Sequence, residues 1–309
     1  MIWYNIRIAI RNFAYQKSIS LLNLLGLSIG MSVTLLIFSF VNFETSYDNF
    51  HNEGNLIYRI ISVDKGTGGI DYRATTPLPL PEVVRADIKD AELTTGLTHF
   101  LSENEPVQIE NQTFFNLIGY TTDSCFLKIF NFQMISGNQS TLFENPESVV
   151  LTQSTAKKLF GNENPLGRVL TIEKFNFTVV GILKDLPENS VFKFNLLVSH
   201  LILKKMHPDL AHLWWWGGSL TFIKIYPNQS IESVRKSLAA IPDKYFPDFL
   251  KGRETYDVQP LENIHLDNRV LGDYIPPVSS NYLYILMAIA IGVLFIACAN
   301  FANLSTSQS

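Results

Sequence analysis

The stretch SISLLNLLGLSIGMSVTLLIFSFVNF, residues 18–43, contains no charged side chain. The hydrocarbon core of a bilayer is about 30 Å thick and takes about 20 apolar residues at helical rise. A secretory signal peptide has a shorter apolar region, of about 7–15 residues, and ends in a small-residue cleavage site, which is not found here. We therefore interpret residues 18–43 as a first transmembrane helix.

A second uncharged apolar run, residues 282–304, lies near the other end of the chain. Its length also predicts a transmembrane helix, followed by a short end of residues 305–309. All 28 Asp and Glu residues lie between the two runs, within residues 44–281. The 309-residue chain is therefore expected to carry one large extramembrane domain, residues 44–281, between two membrane spans.

The charges that flank the first run differ on its two sides. Arg7, Arg11 and Lys17 precede it, whereas Glu44 and Asp48 follow it. Basic flanks stay in the cytoplasm, so we expect a cytoplasmic N-terminus in the inner membrane and a periplasmic domain.

Residues 1–17, before the first span, have a helical pattern. Ile2, Ile6, Ile10 and Phe13 fall on one face of such a helix, which predicts an amphipathic helix at the cytoplasmic surface of the lipid bilayer. Two roles stay open for it: a simple anchor beside the membrane, or a lever that contacts a cytoplasmic partner.

Small residues in both spans have the spacing of helix-packing motifs. Gly26 and Gly30 form a GxxxG pattern in the first span, and Ala288 and Gly292 repeat that spacing in the second. Small residues four apart let another helix approach closely, although the pattern is also common in apolar helices without such a role. Two helices alone cannot line a channel, so these four residues predict packing against helices of a partner.

The segment between the spans contains two strand–helix–strand units. The strands and helices are expected, in order, at residues 56–63, 81–89 and 93–101, and at residues 219–226, 231–241 and 256–261. Pro81 and Ser230 mark the helix starts, and alternating apolar residues mark the strands. The two units, within residues 56–104 and 217–262, predict a split ferredoxin-like layer of the α+β class, with residues 105–216 as an inserted subdomain.

The inserted subdomain is expected to be rich in strands. Its strands are predicted at residues 107–109, 113–121, 148–151, 168–172 and 175–183. One short helix is also predicted, because Thr152 is a good helix cap and Gly161 a good helix stop.

Six stretches carry a further pattern. They are NIRIAIRN (5–12), NLLGLSIG (23–30), SVVLTQSTAKKLFG (148–161), NPLG (164–167), FTVVGILKDLP (177–187) and ANFANLST (299–306). Together they resemble the MacB/FtsX-type ABC transporter permease family. The three central stretches are similar to the signature of the MacB-like periplasmic core domain.

The resemblance implies a permease subunit of an ABC-type exporter or mechanotransmission complex. It implies a separate cytoplasmic ABC ATPase as partner and dimerisation with a second permease. It also leaves open a periplasmic protein partner. Permeases of this family have at least four spans, so the chain is expected to be a truncated part, the front half of a longer permease.

Catalytic motifs are not found in the sequence. It has no GxxxxGK[ST] phosphate loop and no HExxH or CxxC. His207 and His212 are five residues apart, the wrong spacing for a metal pair on one helix face. We therefore expect no catalytic, cofactor or metal site, and the net-acidic domain argues against a nucleic-acid partner.

Three consecutive tryptophans, Trp214, Trp215 and Trp216, precede two glycines. They predict either a contact for a hydrophobic substrate or partner protein, or packing between subdomains or at the bilayer interface. We favour packing.

Two other function classes stay open. A two-span sensor would use the extracytoplasmic domain to bind a ligand and would signal inward. A membrane-anchored hydrolase would need a cleft of converging carboxylate, Ser or His groups.

Overall fold

The computed structural model describes residues 17–66 and 68–306. The expected amphipathic helix before Lys17 and the last three residues of the expected short end lie outside the described residues. The described chain separates into a helical unit, residues 17–46 and 278–306, and a sheet domain, residues 47–277.

The helices and strands follow one another in mixed order. The helices are α1 (Lys17–Thr45), α2 (Leu80–Asp87), α3 (Ser124–Phe130), α4 (Gln153–Phe160), α5 (Leu201–Met206), α6 (Ile231–Ala239), α7 (Ile241–Tyr245) and α8 (Ser280–Thr306). The strands are β1 (Ile57–Gly66), β2 (Gly69–Arg73), β3 (Thr76–Pro77), β4 (Ala91–Leu101), β5 (Val107–Ile109), β6 (Gln112–Phe114), β7 (Gly119–Thr122), β8 (Met134–Gly137), β9 (Ser148–Thr152), β10 (Val169–Ile172), β11 (Phe175–Leu183), β12 (Leu196–Ser199), β13 (Gly217–Ile225), β14 (Glu254–Pro260) and β15 (Val270–Leu271).

Helices α1 and α8 confirm the two expected apolar helices on either side of the domain. Within them, Leu24–Thr45 and Ser280–Asn303 are the two segments of the described chain that are long and apolar enough to cross a membrane. Many of their large apolar side chains are exposed, for example Leu36 and Phe295. Such exposure suits helices whose solvent is lipid.

Strand β1 lies at the centre of a ferredoxin-like layer. It pairs antiparallel with β13 and with β14, and β13 pairs antiparallel with β4. The resulting order is β14-β1-β13-β4, with α2 following β1 along the chain and α6 following β13. This is the ferredoxin-like arrangement, and the expected α+β fold class is confirmed.

Helices α2 and α6 bury their apolar sides against this layer. Val84 of α2 and Val234 of α6 share one buried cluster with Ile223 of β13. Helix α6 begins after Ser230 as expected, because the Ser230 hydroxyl accepts the backbone N–H of Glu232 at 3.3 Å. The cap satisfies one of the N–H groups that a helix start leaves unpaired.

The residues between β4 and β13 extend the same sheet. Strand β7 pairs antiparallel with β4 and parallel with β12, and the order continues through β9, β11, β10, β5 and β6. Because the sheet is continuous, it has no break at the expected subdomain boundaries near residues 105 and 216. The exact division into two subdomains therefore stays a prediction.

Three details of this region differ from the expectations. The single strand expected at residues 113–121 is two strands, β6 and β7. Helix α3 was not expected, and its Phe126 and Phe130 lie in a buried aromatic cluster, where the Phe130 ring centroid is 4.5 Å from that of Phe192. Helix α4 begins after Thr152 as expected, but the Thr152 hydroxyl donates to Thr155 Oγ1 at 2.8 Å instead of capping a backbone N–H.

Candidate functional site

The two apolar helices pack along a seam of small residues. Gly30 of α1 is buried there, and a Cβ at that position would lie only 2.7 Å from the Cβ of Ala297 on α8. Thr34, one turn further along, donates its hydroxyl proton to the carbonyl oxygen of Gly30 on the same helix at 2.9 Å and shares it with that of Ala290 on α8 at 3.2 Å. In lipid, helices associate through such close packing and through hydrogen bonds between helices.

The four residues that the sequence suggested for helix packing have different environments. Gly30 lies in the seam, whereas Gly26, Ala288 and Gly292 are exposed. The buried alanines that α8 contributes to the seam are seven residues apart, as in a heptad, and not four. Packing of Gly26, Ala288 and Gly292 against a partner helix stays a prediction.

The segment that follows α1 along the chain is held in the domain by buried polar contacts. The Asp48 carboxylate accepts hydrogen bonds from Ser190 Oγ at 2.8 Å and from the Val191 N–H at 3.0 Å. His51 is also buried, and its Nδ1 lies 2.7 Å from the carbonyl oxygen of Phe130. Each contact satisfies a group that would be costly to bury unpaired, so the start of the domain has a defined position.

The segment that precedes α8 is held in a similar way. Arg59 of β1 is only 1% exposed and forms an ion pair with Asp273, while its guanidinium donates to Gln259 Oε1 at 2.6 and 3.1 Å. Burial lowers the pKa of Arg59, and the Asp273 carboxylate opposes that effect. The Tyr274 hydroxyl donates to the carbonyl oxygen of Gly218 at 2.8 Å.

Neither of these anchored segments was expected from the sequence, although one of them had a signal. Arg59 interrupts the apolar strand that begins at Ile57. Because arginine is almost never fully buried without a partner, a charge at that position predicts a buried acidic residue elsewhere in the chain. Nothing in the sequence around Asp273 identifies it as the partner of Arg59.

The three tryptophans have different environments. Trp214 is half-buried and stacks on Tyr245, with ring centroids 5.3 Å apart. Trp215 and Trp216 are 56% and 38% exposed, and the Trp215 ring centroid is 5.9 Å from that of the exposed Phe249. We call Trp215, Trp216 and Phe249 the aromatic patch. A role for it in contacting substrate or partner stays a prediction.

The strongly shifted ionisable side chains include buried phenols of the domain core. Burial raises the pKa of Tyr274 to about 12 and also raises the pKa of Tyr120 and of Tyr256. Across residues 17–66 and 68–306, no group of three or more His, Cys, Asp and Glu side chains is placed to hold a metal ion. The raised pKa values of the three tyrosines mean that their phenols stay neutral at pH 7.

The described chain thus has a mixed α/β domain that is preceded and followed, along the chain, by a helix long and apolar enough to cross a membrane. The family model for the MacB-like periplasmic core domain matches residues 20–241. The chain belongs to this family, and the resemblance to MacB/FtsX-type permeases is confirmed.

The first two of three similar solved structures share the fold at low sequence identity. A domain of a protein assigned as a permease from Porphyromonas gingivalis has a TM-score of 0.59 and 16% identity, and the alignment covers 77% of this chain and 99% of that one. The periplasmic region of MacB from Actinobacillus actinomycetemcomitans has a TM-score of 0.50 and 18% identity, covering 68% and 91%. The extracellular domain of the noncanonic ABC-type transporter YknZ from Gram-positive bacteria has a TM-score of 0.48 and 12% identity, covering 66% and 99%.

Among curated proteins, no sequence matches the chain significantly. The family match supports a permease-like role in an ABC-type transporter. The two candidate spans on either side of a periplasmic-type domain are consistent with a protein of the inner membrane.

Proposed function

We propose that the chain is the permease subunit of an ABC-type exporter or mechanotransmission complex. ATP hydrolysis by a separate cytoplasmic ATPase would move the spans, and the spans would move the periplasmic domain. The family match supports the permease role. The observation that carries the coupling step is the anchoring of both chain segments next to the spans, through Asp48 on one side and Asp273 on the other.

The anchors matter because they decide whether a movement of a helix reaches the sheet. A flexible linker behaves as a random coil, so it would not pass a movement of the helix on to the sheet. Here the carboxylates of Asp48 and Asp273 are 1% and 9% exposed. Breaking the buried Arg59–Asp273 ion pair by removing one partner would cost about 3–5 kcal/mol, so this attachment is stable.

The topology that we propose has a cytoplasmic N-terminus and a periplasmic domain of residues 44–281. The basic residues before the first span support this orientation. Residues 1–17 would act as the lever that meets the ATPase. The exposed Gly26, Ala288 and Gly292 would pack against a second permease in a dimer.

The aromatic patch is the surface that we propose for a hydrophobic cargo or a periplasmic partner protein. Tryptophan is enriched in binding hot spots, and Trp215 and Trp216 remain exposed in the described domain. Replacing both by alanine should abolish export while leaving the ATPase bound. Phe115, which is 48% exposed elsewhere in the domain, provides the matched control Phe115→Ala.

Affinity purification of the full-length gene product from native membranes tests the proposed function. Recovery of a cytoplasmic ATPase in stoichiometric amount is the expected result. Recovery of a kinase or regulator without an ATPase would overturn the proposal and favour the two-span sensor.

The coupling step needs a second measurement on the purified complex. Asp48→Ala should leave the ATPase bound but uncouple ATP hydrolysis from export, whereas Asp71→Ala, at an exposed position, should change neither. Equal export by the two variants would show that the anchor does not transmit movement.

A further inference from the structure

A pocket in the sheet domain shares Trp215 with the aromatic patch. Trp214 and Leu250 also line it, and strands β1, β2 and β14 contribute charged side chains to its wall. The walls enclose about 630 Å³ including the open mouth, of which the centre of a water molecule reaches about 210 Å³. The enclosed space is therefore within the range of small-molecule sites, and water reaches its interior.

The strand register brings the charged side chains of the wall together. Asp64 of β1 is directly opposite Glu254 of β14, and Ser62, two residues earlier on β1, is directly opposite Arg73 of β2. Residues two apart on a strand, and residues opposite each other, lie on the same face of a sheet. Arg253, which precedes β14, pairs with Asp64 at 3.2 Å. Two carboxylates and two guanidinium groups therefore share the wall of the pocket.

The two carboxylates of this wall are held close together against their mutual repulsion. Like charges directly opposite each other destabilise a sheet. Arg73 offsets the repulsion, because it donates to Glu254 Oε1 at 2.6 Å and lies 3.6 Å from Asp64 Oδ2. Burial nevertheless raises the pKa of Glu254, an effect that Arg73 opposes and Asp64 increases. Side chains with shifted pKa values are concentrated at functional sites, so this wall is a candidate for one.

The charged side chains are within reach of a ligand in the pocket. The side chains of Arg73 and Arg253 are 43% and 62% exposed. Those of Asp64 and Glu254 are 18% and 13% exposed. Glu254 Oε2 and Arg73 Nη1 have no hydrogen-bond partner among the described residues, and neither atom is fully buried. The wall thus offers a hydrogen-bond acceptor and a hydrogen-bond donor that are both accessible.

A sugar matches this combination of groups. Each of its hydroxyls both donates and accepts hydrogen bonds, so a sugar can accept from Arg73 and donate to Glu254 without breaking the ion pair between them. The C–H groups on one side of a sugar ring form an apolar face, and Trp215 offers an exposed aromatic surface for it. A carboxylate or an ammonium group, by contrast, would attract one half of the charged wall and repel the other.

We propose that the pocket binds a neutral sugar ring, stacked on Trp215 and hydrogen-bonded through its hydroxyls to Glu254 and Arg73. A free sugar and the sugar head group of an amphiphile share this chemistry. The site goes beyond the proposed function and does not depend on it, because a permease and a sensor could both carry such a site.

The test uses the full chain in lipid nanodiscs, with ¹³C-labelled leucine methyl groups. The probes are the methyl β-glycosides of glucose, galactose, mannose and N-acetylglucosamine, none of which carries a charge. At least one of them should give saturable shifts at the methyl groups of Leu250, which lines the pocket. Methyl β-glucuronide adds a carboxylate to a sugar ring, and the free amino acid leucine carries an ammonium and a carboxylate. Both should bind more weakly than that neutral glycoside.

Two pairs of variants test the contacts. Trp215→Ala should weaken binding of the sugar by at least about tenfold, whereas Trp216→Ala, at an exposed tryptophan that does not line the pocket, should leave the affinity unchanged. Glu254→Gln keeps the shape of the side chain but removes the charge of the acceptor, and should weaken binding by about fivefold. Glu92→Gln is its control, because Glu92 also forms an ion pair, with Lys224 at 3.5 Å, but does not line the pocket.

The butyl glycoside of the sugar that binds separates the two sources, after subtraction of its partition into protein-free nanodiscs. Binding that is tighter than that of the methyl glycoside, with the gain lost in Trp216→Ala, would assign the sugar to an amphiphile whose chain lies on the aromatic patch. Equal binding of the two glycosides would assign it to a free sugar.

Three results would overturn the site. They are the absence of a saturable shift at Leu250 with all four neutral glycosides, equal affinities in Trp215→Ala and Trp216→Ala, and tighter binding of the glucuronide or of leucine than of every neutral glycoside. None of them bears on the recovery of an ATPase, so failure of the site and failure of the proposed function remain distinguishable.

Discussion

Replacing Gly30 by alanine should separate α1 from α8. The new Cβ would lie 2.7 Å from the Cβ of Ala297, whereas carbon atoms pack at about 3.5–4.0 Å, so the helices must move apart by about 1 Å. Overpacking of this kind costs about 1–3 kcal/mol. The 3.2 Å hydrogen bond from Thr34 to Ala290 would also weaken, and such bonds contribute about 0.6 kcal/mol on average in a membrane.

Gly26→Ala is the matched control for this change. Gly26 lies on the same helix, but a Cβ placed there would have no described atom within 4 Å apart from its chain neighbours and the nearby helix backbone. Alanine has the higher helix propensity, by up to about 1 kcal/mol, so this variant should be as stable as the parent or slightly more stable. Both changes add one methyl group, so a difference between them reports the packing of residue 30 against α8. We expect this difference to be about 1–3 kcal/mol or more in the free energy of unfolding.

The measurement is equilibrium unfolding of the full chain in bicelles, followed by energy transfer between dyes near the domain-side ends of the two helices. Protein at high dilution excludes stabilisation by dimers. Thr34→Val separates the hydrogen bond from the packing effect and should cost less than Gly30→Ala. Equal unfolding free energies for Gly30→Ala and Gly26→Ala would refute the seam.

Two further predictions concern the sheet domain. Asp273→Asn leaves the charge of Arg59 buried without its carboxylate and should reduce the free energy of unfolding in urea by about 3–5 kcal/mol. The double variant Arg59→Met/Asp273→Asn should recover most of that loss. If it does not, the ion pair is not the cause of the loss. Because the pKa of His200 is lowered in the folded domain, the unfolded chain binds more protons below about pH 6.5, and the unfolding free energy should fall as the pH drops through that value. His200→Gln should flatten that pH dependence. His99→Gln, at an exposed position, should leave the pH dependence unchanged. Thermal melts of the variants from pH 5 to 8 measure this difference.

The sequence was informative where structure depends on local pattern. The two apolar helices follow from uninterrupted runs, and helix α6 follows from Ser230 and the periodic residues after it. Helix α3 was not predicted, although Asp123 is a preferred N-cap residue and its carboxylate accepts the Cys125 N–H at 2.9 Å. Its seven residues, Ser124–Phe130, include four that are buried, and so short an apolar segment has no clear helical period. Its helical form combines that local cap with the packing of its apolar side chains in the aromatic cluster.

The environment of a residue depends on neighbours that are distant in sequence. Gly26 and Gly30 belong to one motif, but only Gly30 faces α8 in the described chain. In the same way, Trp214 packs on Tyr245 while Trp215 next to it is exposed. Motif and composition therefore identify candidate residues, and the tertiary partner decides which of them are buried.

The two anchors of the domain meet at one point of the sheet. Next to the first span, the ring nitrogen of His51 contacts the carbonyl oxygen of Phe130, and the Phe130 ring lies 5.1 Å from that of Phe222 on β13. Next to the second span, Asp273 pairs with Arg59 on β1. Arg59 and Phe222 are directly opposite each other in the β1–β13 ladder. Close-packed interiors transmit strain with little compression, so a displacement at either end of the domain would load the same pair of central strands.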